Sequence, residues 1–335
     1  MNVVFIIPTG IGCSIGGHAG DATPAAKLIA SVCDKIILHP NVVNASDINE
    51  MPENALYVEG SILDRFLFGM TRLQQVQSNK ILVVVNKATP ALVNAVNAAR
   101  STIGIQATMM ALDTPLAMSG WVEDDRATGE VTGLWAAIDQ LQDTEGYDAV
   151  ALVTPIRVHP DTVLEYFRST GCSVNPWGGI EAFVSSSIAD AISKPVAHAP
   201  EEDSSAEAAP ALAKLLYNEV VDRRKAAEVS AEFYIHCILK GLHRAPRPSS
   251  WGISRESVMC LVTPSMCFGR PHEACLSAGI PVIAVRENIT ALRVEEHPDF
   301  LYVENYLEAA GLIACMNAGV NPQMVRSPAP VTKRG

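Results

Sequence analysis

Residues 1–30, MNVVFIIPTGIGCSIGGHAGDATPAAKLIA, contain the pattern from which the fold class follows. Residues 3–7 form a short apolar run rich in β-branched side chains, which predicts a buried strand. Five glycines lie between Thr9 and Asp21 and predict a loop, and residues 24–32 have the composition of a helix. A strand, a glycine-rich loop and a helix in this order indicate an α/β protein with a parallel sheet.

The same alternation continues along the chain. Further strands are predicted at residues 35–38, 80–85, 108–112, 149–153, 195–197, 258–262 and 281–285, and further helices at 90–100, 133–141, 161–169, 180–192 and 271–278. Strands that are apolar on both faces are typical of sheets covered by helices on each side. We therefore expect mainly parallel sheets in two related lobes, residues 1–145 and 146–320, with a helical insertion at 200–248 and a mobile tail at 321–335. Within the insertion we expect a long helix at 211–240 that ends at Gly241.

A repeat supports the division into two lobes. The sequence LVTP occurs at residues 152–155 and again at 261–264, so that Thr154 and Thr263 end equivalent strands. NPWGGIEA follows the first copy at 175–182, and CFGRPHEA follows the second at 267–274. In both, Glu-Ala opens a predicted helix and a proline-initiated strand comes next. Turns after parallel strands need glycine and proline in any case, so part of this similarity reflects architecture alone.

The composition excludes several classes of protein. The 335 residues are 48% hydrophobic and carry a net charge of −11, which argues against disorder and against a nucleic-acid-binding surface. No apolar stretch reaches the ~18 residues that span a membrane, and the N-terminus lacks a signal peptide, so we expect a cytoplasmic protein, or one in an organelle after loss of a transit peptide. Eight cysteines without a CxxC pair do not support a metal site. The high apolar fraction favours a homo-oligomer.

The first glycine-rich loop is a candidate anion site, because backbone N–H groups at the start of a helix suit a phosphate or a carboxylate. The candidate ligand-binding residues here are Gly12, Ser14, Gly16 and Gly17. The loop matches neither a P-loop nor the Rossmann fingerprint, and a tight turn without a ligand is the alternative. Cys13, His18 and Asp21 are candidate catalytic groups, His18 because an imidazole titrates near neutrality. A hydrogen bond from His18 to a loop carbonyl is the alternative.

The loops of the repeat supply the other candidates. Arg270 is placed to clamp an anion, and His272 and Glu273 are candidate proton-transfer groups, although Glu273 also suits a plain helix cap. Trp177 is placed either to stack on a flat ligand or to cover the core. The remaining ligand-binding candidates are Thr154, Gly178, Gly179, Glu181, Thr263 and Gly269, and Cys267 completes the catalytic candidates.

Three resemblances add to this. The segments 8–30, NPWGGIEA and 267–288 together resemble an uncharacterised protein family, domain of unknown function 3326, over nearly the whole chain, which implies no reaction. GRPHEACLSAGIPVIAV, at 269–285, is similar to the donor-binding segment of two-lobed glycosyltransferases and nucleotide-sugar epimerases. That likeness implies a phosphate at Gly269 and a ribose at Glu273. GIPVIAV also resembles cofactor-independent racemases, which implies that Cys13 and Cys267 face each other and exchange a substrate proton. The Asn-Thr and Gly-Cys-Thr patterns of that family are absent.

We therefore expect an enzyme, of the transferase or isomerase class, that binds a small anionic metabolite at glycine-rich loops between two lobes. No cofactor is predicted, although the resemblance to glycosyltransferases allows a nucleotide or nucleotide sugar. One alternative is a cofactor-independent thiol racemase or isomerase. Another is a non-catalytic metabolite sensor or an oligomeric scaffold.

Overall fold

The computed structural model describes residues 1–16, 22–43, 50–201, 218–222, 224–225 and 234–326. The strands are β1 (Asn2–Phe5), β2 (Lys35–Leu38), β3 (Ala55–Tyr57), β4 (Arg72–Gln74), β5 (Lys80–Val85), β6 (Gln106–Ala111), β7 (Ala117–Glu123), β8 (Arg126–Thr132), β9 (Ala149–Val158), β10 (Val196–Glu201), β11 (Arg247–Ser249), β12 (Val258–Pro264), β13 (Val282–Val285) and β14 (Leu301–Val303). The described α-helices are α1 (Thr23–Ala30), α2 (Gly60–Leu67), α3 (Pro90–Ile103), α4 (Leu134–Gln142), α5 (Pro160–Arg168), α6 (Gly178–Ile192), α7 (Tyr234–His243), α8 (Arg270–Ser277) and α9 (Tyr306–Ala318).

The first sheet has six strands in the order β14-β13-β12-β1-β2-β3, and all neighbours are parallel. Its central strand, β1, pairs with β2 on one side and with β12, from the other end of the chain, on the other side. Val3, Val4 and Phe5 have no exposed surface. Helices α1 and α9 cover one face of this sheet, and α2 and α8 cover the other. The apolar β1 sequence is thus explained by burial on both faces.

The second sheet has the order β6-β5-β9-β7-β8, with β10 also paired to β9. Its pairs are parallel except for the β7–β8 hairpin. Asp124 and Asp125 form the hairpin turn with φ of +49° and +57°, and turns with two positive φ values match the twist of the flanking strands. Helices α3 and α7 cover one face, and α4 and α6 cover the other. A short antiparallel pair, β4 and β11, lies apart from both sheets.

The predicted fold class, α/β with mainly parallel sheets flanked by helices, is confirmed. The sequence-based lobe boundary at residues 145 and 146 falls between α4 and β9, which belong to the same sheet and its helical layer. The two sheets do not divide at that boundary, because the strands of the first sheet come from residues 2–57 and 258–303. Pairing between β1 and β12 is a long-range contact that local periodicity does not reveal.

Gly241 lies inside α7 rather than after its end, so the prediction of a helix terminus there is wrong. A Cβ atom at this position would lie 2.8 Å from Cζ of Tyr57, the last residue of β3. The glycine therefore leaves room for the Tyr57 ring. The greater part of the predicted helix at 211–240 and of the predicted mobile tail lies outside the described residues. None of the helices within the described ranges is both long and apolar enough to cross a membrane.

Candidate functional site

Two of the predicted glycine loops touch each other beside the carboxyl end of β1. The loop after β1 runs between residues 173–175 and 288–291 and forms an antiparallel β-bridge with each. A Cβ atom added to Gly178, the first residue of α6, would lie 2.2 Å from Cα of Gly10. Both glycines are therefore needed for the backbones to pack.

Two backbone amides in the described part of this first loop are engaged within the protein. The N–H of Gly12 donates to the carbonyl of Ser173 at 2.8 Å, and the N–H of Ser14 donates to the carbonyl of Ile289 at 3.0 Å. An amide that already donates to a carbonyl is not bare, as an anion site requires. The candidates Gly17, His18 and Asp21 lie outside the described residues.

The other candidates around these loops also make internal contacts. Gly16 adopts a φ of +80°, the left-handed region that favours glycine. A Cβ atom at Gly179 would lie 2.2 Å from the carbonyl oxygen of Ala127 in β8, so this glycine lets α6 approach the second sheet. The Trp177 ring packs edge-on against Tyr166 at a centroid distance of 5.7 Å. These contacts account for the residue types without a ligand.

The loop after β12 is organised by a buried histidine. The hydroxyl of Thr263 lies 3.0 Å from Nε2 of His272 and 3.3 Å from Sγ of Cys267. The N–H of Gly269 donates to Nδ1 of His272 at 3.1 Å, so the ring proton of the neutral histidine lies on Nε2. Burial lowers the pKa of His272 to about 4. His272 is thus a neutral residue that uses both ring nitrogens to hold its own loop.

The charged candidates of this loop lie at the surface. Nε of Arg270 donates to a carboxylate oxygen of Asp64 in α2 at 3.0 Å, and its guanidinium lies 5.4 Å from the centroid of the Phe68 ring. Glu273 is exposed in the first turn of α8, the position of a plain helix cap. Arg270 therefore links α2 to α8 through an ion pair.

The first copy of the repeat has a different partner for its threonine. Nε2 of His198, in β10, lies 3.0 Å from Oγ1 of Thr154 and 3.1 Å from the Thr154 carbonyl oxygen. Nδ1 of His198 lies 3.6 Å from Oε1 of Glu181, in the first turn of α6. The His198 side chain is 1% exposed. The two repeat threonines thus each contact a histidine, but those histidines come from unrelated elements.

The Thr154 carbonyl fixes the tautomer of His198. A carbonyl can only accept a hydrogen bond, so Nε2 must carry a proton. Nδ1 faces the Glu181 carboxylate. Because Nε2 is protonated, His198 cannot activate the Thr154 hydroxyl as a base.

Two further polar residues, at and just after the end of β3, lie in the same region. Tyr57 is 2% exposed, and its hydroxyl has no hydrogen-bond partner among the described residues. Burial, with added contributions from Cys237, Glu181 and Glu59, raises its pKa. Glu59 is 6% exposed and accepts hydrogen bonds from the N–H and the hydroxyl of Ser61 at 2.9 and 2.8 Å. Burial outweighs these bonds and raises the pKa of Glu59 to about 7.

A second histidine lies at the end of β2. Nδ1 of His39 accepts from the N–H of Asn41 at 3.2 Å, so Nε2 carries the ring proton of the neutral form, 3.2 Å from Oγ1 of Thr9. A Cβ atom on Gly60, next to Glu59, would lie 3.3 Å from His39 Nε2. Desolvation lowers the pKa of His39 to about 4.

These contacts, and the electrostatic interactions of Tyr57 with Glu59 and Glu181, link polar residues of one sheet to those of the other. We call the group the junction cluster, and it comprises Thr9, His39, Tyr57, Glu59, Thr154, Glu181 and His198. The members from the first sheet follow β1 and β2 or end β3, the edge at which open α/β sheets hold ligands. Shifted pKa values in one place are a feature of functional sites as well as of structural networks. No set of three His, Cys, Asp or Glu side chains in the described part of the chain is placed to hold a metal ion.

Both candidate thiols lie near Thr290: Cys13 forms a β-bridge with it, and the carbonyl of Met266, next to Cys267, accepts a hydrogen bond from its hydroxyl. Cys13 is fully buried and Cys267 is 5% exposed, and both contribute to raising the pKa of Tyr306, after burial. Burial raises the pKa of Cys267 to about 11, so this thiol is protonated at neutral pH. Racemase chemistry uses a thiolate, which this environment disfavours.

The fold and the junction cluster describe an α/β protein with two mainly parallel sheets and a buried polar region between them. Over residues 2–326 the chain matches the family described as "Protein of unknown function (DUF3326)", and it belongs to that family. The resemblance to it seen in the sequence is thereby confirmed. The chain is 35% identical over 339 residues to an uncharacterized lipoprotein of Synechococcus sp. (strain ATCC 27144 / PCC 6301 / SAUG 1402/1), an alignment that covers 95% of this chain and 91% of that protein. No solved structure matches the chain.

The sequence analysis missed five members of the junction cluster: Thr9, His39, Tyr57, Glu59 and His198. His39 comes directly after a predicted strand, and His198 directly after another, so strand ends were the available signal. Tyr57 ends, and Glu59 follows, a three-residue strand that is too short for its periodicity to show.

Proposed function

We propose that the protein is an enzyme that binds a small metabolite at the junction cluster and transfers a proton to or from it. The observation that carries the proposal is a pair of buried polar atoms, Tyr57 Oη and His198 Nδ1, without a hydrogen-bond partner among the described residues. Leaving such an atom unpaired costs about 1–3 kcal/mol, so a guest that forms hydrogen bonds with these two atoms would be stabilised by them.

The protonation states around these atoms suit acid–base chemistry. Glu59, with a pKa of about 7, is divided between its two protonation states at neutral pH and can donate or accept a proton. Nδ1 of His198 lies 3.6 Å from Oε1 of Glu181. In this proposal Tyr57 and His198 orient the metabolite, and Glu59 exchanges the proton.

The charges of the site bear on the predicted anionic substrate. Glu59 and Glu181 supply carboxyl groups. The charge of Arg65 in α2 is already paired with that of Asp190 in α6, at 3.9 Å. A negatively charged group on the metabolite is therefore best received where Glu59 is protonated. Under this condition we propose a metabolite that bears a carboxylate or a phosphate. A neutral hydroxyl or carbonyl compound is the second candidate.

Binding is tested by native mass spectrometry of freshly purified protein. Wild type is expected to retain a small molecule that Tyr57→Phe retains poorly. Tyr147→Phe is the matched control, because the hydroxyl of Tyr147 is also buried but donates to the Leu141 carbonyl at 2.8 Å. Equal retention by all three proteins contradicts the proposed binding site. So does the lack of a bound molecule combined with no thermal stabilisation by a panel of phosphates, carboxylates and neutral metabolites.

Catalysis is tested separately with the identified ligand in deuterated water. Wild type should incorporate deuterium into the ligand, and Glu59→Gln should bind the ligand without incorporation, because the amide cannot exchange a proton at neutral pH. Incorporation at the wild-type rate by Glu59→Gln contradicts the role of Glu59. Binding without incorporation by wild type indicates a metabolite sensor instead.

A further inference from the structure

One long edge of the second sheet has no partner strand. β8 is the last strand in the order of that sheet, and no strand in the described residues pairs with its outer edge. Its sequence, RATGEVT, contains neither proline nor lysine. Proteins commonly protect such edges with those residues or by shortening the strand, because a free edge is a template for another strand.

The two faces of β8 differ. Ala127 and Gly129 face α6, and a Cβ atom on Gly129 would lie 2.8 Å from Cβ of Ile180 in that helix. Side chains alternate along a strand, so Arg126, Thr128 and Glu130 lie on the opposite face. Arg126 and Glu130 are both exposed, and neither takes part in an ion pair within the described part of the chain.

The spacing of these two charges is self-complementary. When two β8 strands pair antiparallel about Thr128, Arg126 of each copy stands opposite Glu130 of the other. We propose that two copies of this chain associate through β8 in this register, which extends the second sheet across a two-fold axis. Opposite charges at directly opposed positions stabilise an antiparallel pair, and each dimer has two such pairs.

The start of α4 supports the same register. Gly133 precedes α4 without a side-chain cap, and the first turn of this helix has no acidic residue. In the proposed pairing the β7–β8 turn of the second copy, which holds Asp124 and Asp125, lies at the Thr132 end of β8, near that helix start, where a carboxylate is stabilised by the helix dipole. An apolar hollow of about 340 Å³, lined by residues 131–136 and Phe183, opens beside it. Trp135 and Phe183 are 76% and 55% exposed there.

The proposal is tested by sedimentation over a concentration series. Wild type should be a dimer, and Glu130→Arg should weaken the dimer about tenfold, because both cross-strand pairs become Arg–Arg. Arg126→Glu should also weaken it, since both pairs become Glu–Glu. A mixture of the two variants should recover the affinity, because the heterodimer again pairs Arg with Glu at both positions.

Glu145→Arg is the control, because Glu145 is exposed in the turn before β9 and the substitution changes the net charge equally. A monomeric wild type overturns the proposal. A dimer that Glu130→Arg weakens no more than Glu145→Arg also overturns it, and so does a mixture of the two β8 variants that stays monomeric. Circular dichroism of each variant separates loss of association from loss of folding.

Discussion

At the scale of the residue, the junction cluster contains the Tyr57 hydroxyl, which no described residue pairs with. Removing a buried, unpaired hydroxyl removes its desolvation penalty, whereas removing a paired one loses a hydrogen bond. Tyr57→Phe, measured without ligand, should therefore leave the free energy of unfolding unchanged or raise it by up to ~1 kcal/mol. Tyr147→Phe should lower it by ~1 kcal/mol. Urea denaturation of both variants measures the difference, and equal losses would show that Tyr57 has a partner after all.

Glu59 predicts a dependence of stability on pH. Its pKa rises from an ordinary value of 4.5 to about 7 on folding, so the folded protein holds a proton between these values that the unfolded chain has released. Stability due to this group is then lost as pH rises from 4.5 to 7, by about 3 kcal/mol in total. His39 and His272, whose pKa values fall on folding, act in the opposite direction, so wild type alone does not isolate the effect.

The measurement that isolates Glu59 is the difference between two proteins. Relative to wild type, Glu59→Gln should gain about 3 kcal/mol of unfolding free energy between pH 4.5 and pH 8, because glutamine does not titrate and the histidines contribute equally to both. Denaturation at four or five pH values gives this difference. A constant offset between the two curves would mean that Glu59 is ionised throughout the range.

At the scale of the element, the start of α6 depends on glycine. In Gly178→Ala the new Cβ would lie 2.2 Å from Cα of Gly10, which is backbone and cannot move aside cheaply. We expect a loss of several kcal/mol of unfolding free energy, on the order of 3. Gly311→Ala in α9, where nothing lies within 4 Å, should instead stabilise the protein by ~0.5–1 kcal/mol. Similar stability of the two variants would refute the contact.

The elements also show what the sequence can reveal. The apolar runs of β5 and β9 and the proline-initiated helix α3 are local signals, and the structure has each of them within a few residues of its predicted position. The short strands β3 and β14 and the helix α2 lack an apolar run long enough to show a period, so the sequence does not predict them. The site was harder to predict, because the repeat marks Thr154 and Thr263 while the histidines that contact them lie 44 and nine residues further on. Which histidine lies next to each threonine is set by tertiary packing.

At the scale of the whole molecule, the two sheets should unfold together. They meet through the contact of Gly10 with Gly178, and through the close approach of Tyr57 to Gly241 of α7. Both contacts are buried and involve backbone or ring atoms, so one sheet cannot lose its structure without exposing the other. Calorimetry should show a single transition with equal calorimetric and van't Hoff enthalpies. Two separate transitions would show that the sheets are independent folding units.

The pairing of β1 with β12 has a consequence for synthesis on the ribosome. All strands of the second sheet lie between residues 80 and 201, so they leave the exit tunnel before β12 is translated. Until then β1, which is buried along its whole length in the finished sheet, has an open edge. Chaperone demand should therefore peak late in elongation and end only when residues 258–264 emerge.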